Sequence, residues 1–124
     1  MISKYMLKEV LFHKEKYKDQ IEITRLVLNK NYIEYTSDVA GNPYNYITHD
    51  KINVYELANK CKEWAYSTYG IMIQSYPYCG KGRADAIKGL KVDEVFKEKT
   101  EPEAIFKAAQ WVLDNTSTNK LKGH

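Results

Sequence analysis

Between residues 51 and 68 the apolar side chains Val54, Leu57, Ala58, Cys61, Trp64 and Ala65 recur at three- and four-residue steps, the period of a helix with one buried face. A stripe this regular needs a second layer to cover it. Asn53 stands as N-cap with Glu56 three positions on, and Ile52 and Leu57 flank the cap as a hydrophobic staple. Gly70 after Tyr69 supplies the stop. Cys61 and Trp64 lie on the stripe and are expected in the core.

A second helix is written at 101–115. Thr100 caps it, Glu103 closes a T-x-x-E box, and Pro102 sits in the first turn, where its missing N–H is no loss. Ile105, Ala108, Ala109, Val112 and Leu113 form its apolar stripe, flanked by Phe106 and Trp111. The polar run Asn115-Thr116-Ser117-Thr118-Asn119 is expected to end the helix and to leave a flexible tail over 116–124.

Between these helices Ile71-Met72-Ile73-Gln74-Ser75-Tyr76 and Val92-Asp93-Glu94-Val95-Phe96-Lys97-Glu98 have strand character, with Pro77 marking an edge or loop. Residues 84–88 fit a strand between two glycine turns or a short helix, and the strand is preferred. The second half thus predicts α-β-β-β-α, with two helices on one face of a small antiparallel sheet.

The first half predicts a β-rich meander. Residues 21–28 and 32–35 form a hairpin across Asn29-Lys30-Asn31, and a turn at Gly41-Asn42-Pro43 precedes Tyr44-Asn45-Tyr46-Ile47. Residues 4–17 read as a helix through Met6, Leu7, Val10 and Leu11, or as a strand through the alternation at Val10 and Phe12. The fold class is α+β, divided into an N-terminal extension or subdomain over 1–50, an α-β-β-β-α domain over 51–115, and the tail.

Composition narrows function. The 124 residues, 44% hydrophobic and 28% charged, suffice for a core without metal or disulfide support. Lysines interrupt the N-terminal apolar residues, and no run reaches membrane-spanning length, so a cytoplasmic protein without membrane association is expected. The net charge of +3 arises entirely after residue 50, where twelve basic residues face nine acidic ones against seven and seven before it. Cys61 and Cys79 are too few for a four-ligand zinc site and are expected as reduced thiols. Eleven of the sixteen aromatics are tyrosines, suited to strand faces and equally to recognition surfaces.

Two stretches, Leu57-Ala58-Asn59-Lys60-Cys61-Lys62-Glu63-Trp64-Ala65 and Thr100-Glu101-Pro102-Glu103-Ala104-Ile105-Phe106-Lys107-Ala108-Ala109-Gln110-Trp111-Val112-Leu113, resemble small phage and prophage proteins of the α-β-α sandwich type. The resemblance spans 51–115 and rests on caps and core positions. It implies an accessory protein that binds a host protein, for instance in a defence system, and it transfers no active site. The element order is also similar to that of double-stranded-RNA-binding domains. Their second helix opens with phosphate-gripping lysines, whereas this one opens with Glu101 and Glu103.

Catalytic constellations are incomplete. His13-Lys14-Glu15 matches the H-x-E half of a zinc deaminase, but the P-C-x-x-C half is missing. Cys79 with His13 or His49 would be a nucleophile and base only if the fold joined them. No cofactor and no enzymatic activity are expected, an enzyme of unknown chemistry being the third reading. The most suggestive segment is the basic glycine loop 79–91. Gly80 and Gly82 would let backbone N–H groups reach a phosphate, Lys81, Arg83, Lys88 and Lys91 would neutralise it, and Tyr76 and Tyr78 would wall the site. The bland alternative is a solvated turn. The sequence therefore predicts a non-catalytic binding module for a host protein, with a nucleotide or nucleic-acid ligand on this loop as the alternative.

Overall fold

The computed structural model describes residues 1–40 and 47–122. Helix α1 (Lys4–Phe12) is followed by a short 3-10 turn and by strands β1 (Ile21–Asn29), β2 (Tyr32–Val39) and β3 (Ile47–Asn53). Helix α2 (Val54–Tyr69), strands β4 (Ile71–Tyr78), β5 (Lys81–Lys88) and β6 (Lys91–Glu98), and helix α3 (Glu101–Lys122) complete the chain. The protein is α+β, with two three-stranded antiparallel sheets ordered β1-β2-β3 and β4-β5-β6. The order α-β-β-β thus occurs twice before α3, although the sequence shows no repeat.

Local chemistry explains the elements. The Ser3 hydroxyl accepts the Met6 N–H at 3.1 Å, and Met6, Leu7 and Val10 are buried, so the ambiguous N-terminal segment is a helix. Asn53 caps α2 by accepting the Tyr55 N–H at 2.8 Å, and Gly70 closes it in the left-handed conformation. Thr100 Oγ1 accepts the Glu103 N–H at 3.3 Å, as the capping box requires. Strand 84–88 belongs to β5, and Pro77 lies near the end of the edge strand β4. The 41–43 turn and residues 44–46 lie outside the described residues.

Two expectations need correction. Helix α3 does not end at the polar run but continues to Lys122. Asn115 Nδ2 donates to the Trp111 carbonyl at 2.8 Å and Thr116 Oγ1 to that of Val112 at 2.5 Å, so these side chains bond back along the helix. The boundary at residue 50 falls inside β3. Residues 1–50 share one core with the rest: Ile2, Met6, Leu7, Val10, Ile23 and Ile33 pack in the same cluster as Leu57, Trp64, Ile73 and Val112. Ser3 Oγ also donates to Gln110 Oε1 on α3 at 3.0 Å.

The helices lie on one side of the second sheet. Helix α3 packs across β4, β5 and β6 and beside α2, which packs on β4. The sheet's inward residues are Ile71 and Ile73 of β4, Ala84 and Ala86 of β5, and half-buried Phe96 of β6. The alternate residues form an outward face. No helix among the described residues is long and apolar enough to cross a membrane.

Candidate functional site

The expected loop 79–91 is instead mostly β-strand, the central strand β5 between two tight turns. Cys79-Gly80 is a two-residue turn joining Tyr78 to its partner Lys81, with both residues at positive φ, 51° and 74°. That backbone matches the twist of the strands it joins. Residues 81–88 are then strand, because alternate side chains Ala84 and Ala86 are buried under α3 while Arg83 and Lys81 point outward. Gly82 serves packing rather than phosphate approach. A Cβ there would lie 2.2 Å from the Glu101 nitrogen and the Thr100 carbonyl carbon. Glycine at this position lets the start of α3 close on β5.

Register assembles the outward face. Tyr76 pairs with Arg83 and Arg83 with Lys97, making a row across all three strands, and Tyr78 with Lys81 forms the next row. The Arg83 guanidinium carbon lies 5.3 Å from the Tyr76 ring centre and 5.7 Å from that of Tyr78. Lys97 Nζ stands 4.7 Å from the Tyr78 ring. Such cation–aromatic contacts hold long side chains in place while leaving N–H donors outward.

Asp85 anchors the cluster. It is buried although it belongs to the open face, because neighbouring side chains cover it. Arg83 Nε donates to Oδ1 at 2.8 Å and Nη2 to Oδ2 at 3.3 Å, while the Tyr76 hydroxyl donates to Oδ2 at 3.3 Å. The hydrogen bond to Asp85 and the charge of that carboxylate raise the Arg83 pKa against a smaller opposing effect of burial. Arg83 is therefore a fixed, permanently charged fork.

At the turn end, a cavity of about 330 Å³ is lined by Tyr78, Cys79, Lys81, Lys97, Glu98 and Lys99. Its one carboxylate, Glu98, pairs with Lys107 at 3.1 Å. Among the described residues no carboxylate lies within ion-pair distance of Lys81, Lys97 or Lys99. The cavity is a cationic recess with an aromatic wall, suited to a phosphate.

Of the residues singled out from sequence, Tyr76, Tyr78, Lys81 and Arg83 come together. Lys88 and Lys91 do not, since they pair with each other across the Gly89-Leu90 turn, ~23 Å from Lys81 at 3.3 Å per strand residue. Lys97, Lys99 and Asp85 were missed as parts of the site. Alternation along β6 was the available signal, because counting outward positions from Val95 reaches Lys97.

Other candidates are weaker. The first sheet carries a larger open trough of about 480 Å³, but its lining mixes Arg25 and Lys51 with Glu34 and Asp50, so it has no dominant charge. His49 in that trough hydrogen-bonds Thr36 Oγ1 at 3.1 Å, and His13 bonds the Val10 carbonyl at 3.2 Å. Among the described residues no three His, Cys, Asp or Glu side chains are grouped to hold a metal. Comparison with known proteins finds no matching family model, curated protein or solved structure.

Proposed function

We propose that the protein is a non-catalytic binding module whose open β4–β6 face docks on nucleic acid. The observation that carries this reading is the stacking of Arg83 and Lys97 on the rings of Tyr76 and Tyr78, beside a recess lined by Lys81, Lys97 and Lys99. Lysines neutralise backbone phosphates without sequence preference, and tyrosine rings and a fixed guanidinium offer planes and donors to sugars and bases. An acidic surface on a host protein, the partner that the phage-type resemblance implies, is the competing occupant. It would satisfy the lysines and leave the paired rings without a planar partner.

The test is anisotropy of a labelled duplex and a labelled single strand. Neutralisation of three phosphates by the three lysines gives a ~40-fold loss of affinity between 50 and 200 mM salt. A Lys81→Glu, Lys97→Glu double variant with an unchanged circular dichroism spectrum is expected to bind at least about tenfold more weakly at low salt. Wild-type protein that binds neither ligand at 50 mM salt, or a folded double variant that binds as tightly as wild type, refutes the reading.

A further inference from the structure

We propose that Arg83 reads guanine in a single strand of nucleic acid, the free edge of its guanidinium donating to O6 and N7 of one unpaired base. This rests on the nucleic-acid reading and adds to it the form of nucleic acid and the base preferred.

Asp85 decides what Arg83 can take. Its carboxylate accepts Nε at 2.8 Å and Nη2 at 3.3 Å, so the ion pair uses one edge of the fork. Nη1 and the second Nη2 proton remain side by side on the terminal edge, without an acceptor among the described residues. The Arg83 side chain is 24% exposed and that of Asp85 behind it 8%, so the fork and not the carboxylate meets a ligand.

Two parallel donors call for two adjacent acceptors. A phosphate has them, but it would bring negative charge toward a buried carboxylate that already offsets the charge of Arg83. A neutral pair of acceptors meets no such repulsion. Guanine O6 and N7 are such a pair, and arginine donating to both is the commonest specific contact to a base edge. Adenine sets a donor beside N7, and thymine has one acceptor on that edge. Cytosine has O2 and N3 together, but its single ring gives less stacking area to Tyr76 and Tyr78 than a purine does. The phosphates of the strand fall to Lys81, Lys97 and Lys99 around the adjoining recess.

The width of the sheet selects a single strand. Arg83 lies on the central strand, with Tyr76 and Lys97 beside it in the same row. Three strands at ~4.8 Å spacing span ~10 Å before side chains are added, and the ~12 Å major groove admits a helix or a two-stranded ribbon. In a single strand the O6 and N7 edge is open.

Anisotropy of labelled strands tests this, with a ~12-nucleotide oligothymidine and the same strand carrying guanine, 7-deazaguanine or cytosine at its centre. 7-Deazaguanine keeps O6 and replaces N7 by C–H, so it removes one acceptor at constant charge and ring area. Wild-type protein is expected to bind the guanine strand at least about fivefold more tightly than each of the others. Because the acceptors are neutral, that ratio is expected to hold between about 50 and 200 mM salt while every affinity falls. Arg83→Lys keeps the charge and loses the fork, and its affinities for the guanine and thymine strands are expected to agree within about twofold. The analogue strands test the contact on wild-type protein, whatever the substitution does to the fold. If wild type binds all strands alike, or the 7-deazaguanine or cytosine strand as tightly as the guanine strand, or if folded Arg83→Lys keeps the preference, the guanine contact is wrong and the binding face stands. A guanine-containing duplex bound more tightly than the guanine strand also overturns it. If wild type binds neither strands nor duplex, both readings fail.

Discussion

Substitution of Gly82 by alanine separates two roles for the same residue. In a phosphate-cradling loop the added methyl would impair ligand binding and leave stability nearly unchanged. In the fold described above, the methyl meets backbone: Glu101 N and Thr100 C at 2.2 Å and Glu101 Cα at 2.4 Å. Ordinary contact begins near 3.4 Å, so α3 must retreat from β5 by roughly 1 Å, and no flexible side chain is there to yield. Overpacking of this kind costs about 1–3 kcal/mol. The shift also strains the Thr100 cap and the 2.7 Å hydrogen bond from Ser75 Oγ to Glu101 Oε1, which places the expected loss at ~3 kcal/mol. Urea unfolding followed by Trp fluorescence measures it, with an unchanged m-value showing that the compactness of the end states is preserved. A loss below about 0.5 kcal/mol would mean that α3 does not close on β5 here, and the packing argument for Gly82 would fall.

Trp64 is 1% exposed and meets Tyr69 edge-on at 5.6 Å, so Trp64→Ala is expected to lower stability by about 3–5 kcal/mol in the same assay, and Trp111→Ala, half-buried beside Phe96, by less. The cysteines divide by exposure. A thiol reagent at pH 8 is expected to modify one cysteine per folded chain, Cys79, and both after denaturation, because Cys61 is buried. Burial pushes the Cys61 thiol from its ordinary 9.0 up to about 12. The unfolded chain therefore loses this proton first, and this group's contribution to stability is retained below pH 9 and falls by about 1.4 kcal/mol per pH unit between pH 9 and 12, so Cys61→Ala should make the alkaline loss of stability shallower.

What was legible in the sequence was local. Asn53, Thr100 and Gly70 declare helix ends because a cap involves residues two or three positions apart, and the stripes at Leu57 to Ala65 and Ile105 to Leu113 declare buried faces for the same reason. The site was half legible. Tyr76, Tyr78, Lys81 and Arg83 are close in sequence across one tight turn, whereas Lys97 reaches Arg83 through a second turn and past a register shift between Ala86 and Ile87. A one-residue slip would have turned Lys97 toward α3, and residue-type counting does not fix that choice. The same limit misplaced Lys88 and Lys91, whose nearness to Lys81 along the chain becomes distance once residues 81–88 are extended.

On the proposed docking face, the arginine and the lysines act by different physics. Asp85 takes two of the five guanidinium donors of Arg83 and offsets part of its charge, so Arg83 contributes little to a salt-dependent attraction. What the pairing provides is direction. The remaining donors are held in a known plane against Tyr76 and Tyr78, and little side-chain entropy is left to lose when a ligand arrives. Lys81 and Lys99 have the opposite properties, with charged heads on flexible stems around an open recess, and Lys97 stands between the two kinds, its charge unpaired but its stem resting on the Tyr78 ring. Long-range attraction and short-range orientation are thus placed on different residues of one sheet. The buried carboxylate that lowers the net charge of the face is also the group that gives it a fixed geometry.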